Sequence, residues 1–503
     1  MMRAQSDRRR LAGPYRCRSK YSLAAMASLL ALAGCTSSTR ASGTSSTPAV
    51  STTGGSAATT GGPASPVQSS AATTGGPASP IQATTVSKPV TITFLHTYTG
   101  SDEDTIKALV NQFQSQNTNI TVQEQSVGGY AALTQKNVAA LQAGHPPNVS
   151  IAYEADIQTY LPSNRVLNLS PYATDPTAGL DAASKAAILP IEISRNSYAA
   201  KGGQLYGFPF TVADVVLYYN KTMLASAGIA TPPATWDQFK ADCAQIMTKL
   251  KKPCYPASID ASTVNAIGFS YGVSPLKVDG SGVNYGDAGW TPVFQLLSDL
   301  AKQKYAYSTA GLADASTADQ SDFVAQQAAF IMRTSRSIPF VSGAIGSKFA
   351  WAAAPLPQGT ATDNPRTVVF GPNLVAFTNS DPDKELASWL FVKFLGSASA
   401  QSYWAEHTGN LPIRTDVGGD PGFKDYLSKN PAQQVGSDSL PDAQYEGGII
   451  ANGALTLIMP SQVRTDLQNI EAALLTNSID VKTAQQQIVS EADPLVAKAR
   501  QGT

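Results

Sequence analysis

Histidine is nearly absent from this 503-residue chain. His96, His145 and His407 are the only three, and no two stand at a metal-ligand spacing such as HExxH. Metal and histidine-based chemistry therefore have little to work with, and neither a metal nor a cofactor is expected. Cysteine is scarce too. Cys17, Cys35, Cys243 and Cys254 include no CxxC pair, which removes thioredoxin-type and zinc-ribbon readings. Charged residues make up only 14%, against about 25% in an average globular protein, so a supercharged or wholly disordered chain is excluded. Lys+Arg and Asp+Glu number 36 each, with no basic run beyond the N-terminus to neutralise phosphates, so nucleic acid is not an expected partner.

What is present is a large apolar fraction, 43%, on a chain far longer than the roughly 250–300 residues at which a single core stops growing. At least two lobes are expected. The N-terminus reads as an address. Arg3, Arg8, Arg9, Arg10, Arg16, Arg18 and Lys20 precede an apolar stretch from Leu23 to Leu32, which suits a signal h-region but is too short to span a bilayer. It ends Leu32-Ala33-Gly34-Cys35, which resembles a bacterial lipobox, so Cys35 is the expected lipidated residue and 1–34 the signal peptide. Arg8-Arg9-Arg10 leaves the twin-arginine route open beside the general one. Removing 1–34 leaves 29 basic and 35 acidic residues, a mildly acidic mature chain.

From Thr36 to Lys88 the chain is almost entirely Ser, Thr, Gly, Ala and Pro, and it carries a tandem repeat, Ala57–Pro66 recurring as Ala71–Pro80. Such a composition cannot bury enough surface to offset its ordering entropy, so 35–88 is read as a lipidated cysteine and a flexible tether spanning about 40 Å. Lipidation of Cys35 and removal of Cys17 leave Cys243 and Cys254, eleven positions apart across the end of an expected helix. Outside the cell these form a disulfide, the alternative being two reduced buried thiols.

The remaining 415 or so residues alternate between the two periodicities. Val90–Leu95 alternates as a strand. A helix from about Asp102 to Asn117 presents Ile106, Leu109, Val110 and Phe113, with Ser101 and Asp104 as its expected cap. A strand from Ile120, a helix over Tyr130–Ala143 and a strand over Val149–Tyr153 complete β-α-β-α-β. That order implies an α/β fold with a mostly parallel sheet and ligands at the C-terminal ends of its strands. Leu205–Phe210 and Val215–Lys221 read as buried extended runs crossing between lobes. A second α/β region follows, including a helix over Trp236–Leu250 capped by Thr235 and Gln238, strands near 329–332, 367–370 and 374–377, a helix over Asp383–Leu395, and a helical C-terminus.

Several of these segments resemble one family. Phe208-Pro209-Phe210, Val216–Lys221, Ala227-Gly228, Pro232–Trp236, Trp389–Leu395 and Thr408–Pro412 occur in the order and spacing of the bacterial extracellular solute-binding proteins of family 1, which feed ABC importers. Phe94–Thr97, Tyr130, Ala152-Tyr153-Glu154, Cys254, Gly409 with Leu411-Pro412, and Pro460–Arg464 resemble its sn-glycerol 3-phosphate and sugar binding members in particular. The resemblance covers essentially all of 89–503. It implies a two-lobe, periplasmic-binding-protein-like (type II) α/β fold with hinge crossings, lobe one being 89–213 and 358–405, and lobe two 214–357 and 406–503.

It also implies a site. Family ligand residues map onto Tyr130, Glu154, Gly371, Thr334 and Arg464. A tyrosine ring can pack on a polyol's CH face, and a carboxylate past a strand end can accept two hydroxyl hydrogen bonds. Departures from the family pattern fall at Ala213, where the family has serine, at Asn410 for tyrosine, at Asp260 and Thr263 for a tryptophan pair, and at Arg336 for glycine. Losing aromatic walls while gaining Asp260, Asn410 and Arg336 implies a more polar pocket, suited to a sugar or another glycerol phosphodiester at least as well as to glycerol 3-phosphate. Asp214, beside the hinge run, completes the set as a hydroxyl partner or an interlobe structural bond.

The resulting expectation is a monomeric lipoprotein, anchored to the outer face of the cell membrane, that captures a small polar solute and delivers it to an ABC permease without catalysis. The competing readings are a secreted serine hydrolase, because Gly268-Phe269-Ser270-Tyr271-Gly272 fits G-x-S-x-G with His407 downstream, and a surface sensor or adhesin. The hydrolase reading requires Ser270 on a sharp strand-to-helix turn, and Val273-Ser274-Pro275 does not begin a long helix.

Overall fold

The computed structural model of the chain describes residues 81–309, 317–360, 362 and 364–501. The signal segment, Cys35 and the tandem repeat lie outside the described residues. Within the span read as tether, residues 81–88 pack on the folded head. Val86 is buried, its carbonyl accepts from Asn119 Nδ2 at 2.9 Å, and Ser87 bonds Asp383 through both its amide and its hydroxyl. The composition of this segment is that of the tether before it, but here Ile81, Ala83 and Val86 find a partner core.

The first core is built on β1 (Val90–His96), α1 (Ser101–Gln116), β2 (Ile120–Ser126), α2 (Tyr130–Gln142) and β3 (Val149–Ala152). β1 lies between β2 and β3, parallel to both, with Val90 opposite Ile120 and Phe94 opposite Val149. Ile106, Leu109, Val110 and Phe113 of α1 are buried in this core, where the Phe113 ring meets Phe391 and Phe394 of the helix Pro382–Leu395. The cap of α1 differs from the expectation. Gly100 holds the N-cap position at φ 59° with no side-chain bond, so the start of this helix is left bare. Strand Asn373–Ala376 then adds antiparallel to β3, and Phe208–Pro209 adds antiparallel to it.

The second sheet is built differently from the first. Its central strand, Ala213–Asn220, pairs antiparallel with Phe330–Thr334, Trp351–Ala354 and Val368–Phe370. Connectivity supplies the reason: Ala213–Asn220 carries the chain out of the first core and Val368–Phe370 carries it back, so the two run in opposite directions side by side, with Asp214 opposite Val369. The core beneath holds Trp236, Phe239, Trp290, Phe294 and Phe330. Helix Trp236–Leu250 starts at Thr235, whose hydroxyl accepts from the Gln238 amide while the Gln238 side chain accepts from Ala234, a reciprocal cap. Cys243 on this helix is bonded to Cys254, both fully buried, with Cα atoms 5.2 Å apart.

Core membership changes at the crossings. Val212 packs in the first core and Val215 in the second; Val368 packs in the second and Val369 in the first. Leu411, Ile413, Leu440 and Ala443 also pack in the first core.

Candidate functional site

Between the two cores lies a cleft of two compartments, of about 770 and about 570 Å3. Tyr130, Tyr153, Thr334 and Phe370 line both and form the waist between them. The placement follows from topology. Tyr153 lies just past the C-terminal end of β3, Tyr130 opens α2, and Thr334 and Phe370 end strands of the second sheet, so strand ends of both sheets face one gap. The Tyr130 and Tyr153 rings are 5.0 Å apart. Burial raises the pKa of both hydroxyls, so they act as neutral phenols able to donate as well as accept.

The larger compartment gathers Tyr130, Glu154, Asp260, Thr334 and Arg464 from the expected set. Glu154 opens α3 (Glu154–Tyr160) and is 5% exposed. Its Oε1 accepts from Asn373 Nδ2 at 2.9 Å and is ion-paired with Arg195. Arg195 is fully buried. It also pairs with Glu192 at 2.7 Å and donates to the Gly371 carbonyl at 2.9 Å, so one guanidinium ties a cleft carboxylate to the returning chain. Arg464 pairs with Glu446 at 2.7 Å and donates to Ser262, and Glu446 accepts in turn from Ser262 and from Asn265. Asp260 has a second task as N-cap of the helix Ala261–Ser270, accepting from the Ser262 amide. Burial first, then the nearby Glu446 carboxylate, raises its pKa.

The smaller compartment holds Thr334, Arg336, Gly371 and Asn410, and again Tyr130. Ala213 lines it without offering a polar atom. Gly371 is required by contact: a Cβ there would lie 2.0 Å from the Thr211 carbonyl oxygen. Asn410 Nδ2 donates to Thr408 Oγ1 at 2.9 Å. Arg336 is ion-paired with Asp102, at the start of α1.

Asp214 is a correction. It lines neither compartment; it is fully buried in the crossing strand, against Ser335 and Gly436, and neither carboxylate oxygen has a hydrogen-bond partner. Burial pushes its pKa up to about 7. The side chain points across the strand into packed structure, a direction that its place beside the hinge does not reveal.

Arg195, Glu446, Tyr98, Tyr153 and Tyr445 line or support the site without having been given a ligand role from the sequence, although Tyr153 stands in the Ala152-Tyr153-Glu154 motif. Tyr98 and Tyr153 could have been found as residues following the ends of parallel strands. Arg195 and Glu446 carry no local signal; only the approach of distant segments makes them neighbours of Glu154 and Arg464.

Ser270 is not a nucleophile elbow. It lies at the C-terminal end of the helix Ala261–Ser270, accepting from Trp236 Nε1 at 2.7 Å and donating to the Ile267 carbonyl at 2.6 Å. The His407 ring is bonded through Nδ1 to the Tyr403 carbonyl, within its own helix. Among the described residues no group of three or more His, Cys, Asp or Glu side chains is placed to hold a metal.

Two α/β cores joined by crossing strands around a walled cleft define a two-lobed, periplasmic-binding-protein type of fold. A family model for the bacterial extracellular solute-binding proteins matches residues 108–431, more than half of the chain, and the protein belongs to that family. Among relatives, the sn-glycerol-3-phosphate-binding periplasmic protein UgpB of Rhizobium meliloti is 23% identical over 416 residues, 80% of this chain and 93% of its own. Among solved structures, UgpB from Mycobacterium tuberculosis in complex with glycerophosphocholine superposes with a TM-score of 0.68 at 17% identity, over 82% of this chain and 100% of that one. The GacH receptor of Streptomyces glaucescens, solved unliganded and with acarbose, gives 0.67 at 20%, over 82% and 98%. At these identities the structural likeness establishes the fold.

Proposed function

We propose that this protein is the receptor of an ABC importer, taking a sugar or a glycerol-phosphate-type solute into the interlobe cleft and handing it to the permease without chemical change. The observation that carries this reading is the cleft itself. Aromatic rings at its waist offer faces to a carbon skeleton, and fixed polar groups around them, Glu154 on Arg195 and Arg464 on Glu446, can orient hydroxyls. Specificity would arise because a wrong solute leaves those buried groups unpaired. The proteins named above bind glycerol 3-phosphate, glycerophosphocholine and acarbose, which supports a solute of this class. In this reading 1–34 is cleaved, Cys35 carries lipid, and the head works as a monomer on the outer face of the membrane. Lobe one is 89–213 with the returning segment, and lobe two the remainder.

The test is a thermal shift of the protein against glycerol 3-phosphate, glycerophosphodiesters, and mono- and oligosaccharides. A solute at a hundred times its Kd adds about 2.7 kcal/mol, or roughly 3 °C for a head of this size. One compound class should give that shift, and Tyr130→Ala should abolish it while leaving the unliganded midpoint within about 2 °C. No shift with any compound, or turnover of one of them, would refute the reading.

A further inference from the structure

Arg336 stands where a solute contact was expected, yet its guanidinium is taken up by Asp102. The two residues are 234 positions apart and belong to opposite sides of the cleft. Asp102 lies in the first turn of α1 on the first core, whereas Arg336 follows the strand Phe330–Thr334 of the second sheet. Both line the smaller compartment, so their bond bridges the gap that a solute would enter. The Asp102 side chain is 6% exposed and that of Arg336 43%, so the pair is desolvated on one side only.

The other groups facing Arg336 are the Tyr98 and Tyr130 hydroxyls, kept neutral by burial, which leaves Asp102 as the carboxylate that the cation meets. Each charge needs the other lobe for its partner. Separating the lobes returns Asp102 and Arg336 to water, whereas bringing them together forms the bond with no solute required. An interaction present in one arrangement and absent in the other shifts the balance between them.

We propose that Asp102 and Arg336 form a solute-independent latch that holds the cleft partly closed and so sets the affinity for solute through the balance of open and closed forms. The inference rests on reading the cleft as one that opens and closes. By raising the fraction of binding-competent protein, the latch lowers the apparent Kd of a solute that leaves the pair in place. A partly exposed pair of this kind changes the closed-to-open ratio by about five-fold.

The experiment uses the full chain without solute, labelled through click-reactive residues at exposed positions on each side, Gln116 and Lys249, and read by single-molecule energy transfer in about 50 mM salt. The wild type should show two distance populations. Asp102→Asn and Arg336→Gln should each lower the closed-to-open ratio about five-fold, the double variant should go no lower, and Arg336→Lys should keep most of the ratio. Exchanging the charges, Asp102→Arg with Arg336→Asp, should recover part of it. About 1 M salt should lower the wild-type ratio and leave Asp102→Asn unmoved. Two populations with a ratio unchanged in both single variants, or single effects that simply add, would overturn the latch and leave the closing cleft intact. One fixed distance in every protein would overturn the closing cleft and the latch with it.

Discussion

Replacing Arg195 by methionine should be among the most damaging single changes in the head. Arg195 has no exposed surface, and it stands between Glu192, also fully buried, and Glu154, 5% exposed. Methionine fills much of the volume but leaves two carboxylates buried side by side with no cation. Breaking a buried pair in this way costs about 3–5 kcal/mol, because the remaining charges keep their desolvation penalty. The pH dependence identifies the cause. Burial already raises the Glu192 pKa with Arg195 present, and without the guanidinium Glu192 will hold its proton to higher pH still. A carboxyl whose pKa is raised in the folded state binds more protons folded than unfolded. Stability is therefore lost as pH rises from the unfolded value of about 4.3 through the folded one. The variant should fall furthest below wild type near pH 8 and recover much of the gap towards pH 5. Urea unfolding followed through the buried Trp389 and Trp404 of the first core measures this directly. Adding Glu192→Gln to Arg195→Met should restore part of the loss at pH 8. A loss below about 1 kcal/mol, or one that does not change with pH, would refute the reasoning.

Asp214 makes an independent pH prediction. Its pKa rises from 3.8 to about 7 on burial, so the wild type loses stability between about pH 4 and 7, by at most about 4 kcal/mol. Asp214→Asn should flatten that part of a stability-pH profile measured by denaturant unfolding, and an unchanged slope would show that Asp214 is solvated. Gly371→Ala should cost about 2 kcal/mol or more by thermal unfolding and disturb the crossing, since the new Cβ meets backbone that has no flexible end to move; a neutral result would mean that the crossing yields. Cys243→Ser should lower stability by about 2–4 kcal/mol and abolish the sensitivity of the midpoint to reductant expected of the wild type.

Much of this molecule is legible in local pattern. Helix Trp236–Leu250 has the bounds and the Thr235–Gln238 cap that the sequence predicts, and β1, α1, β2, α2 and β3 follow the alternation of periods two and 3.6. Such features depend on side chains within a few residues of one another, so adjacency in the chain is adjacency in space. Tyr130, Glu154, Thr334, Gly371 and Arg464 were also reachable, through motifs in family order and spacing, and all five line the cleft.

Tertiary structure decided the partners and the directions. Val368–Phe370 runs antiparallel to Ala213–Asn220 because the outgoing and returning crossings lie side by side, which no window of sequence records. Val86 packs although it stands in a tether-like segment, because a finished core offers it a place. Asp214 turns away from the cleft into packed structure, and Arg336 is paired with Asp102. Glu154 is held by Arg195, 41 residues away, and Arg464 reaches Ser262 across 202. The physical reason is range. Propensity and capping act over one or two turns, whereas burial and charge pairing are settled by whichever groups the folded chain brings within a few ångströms.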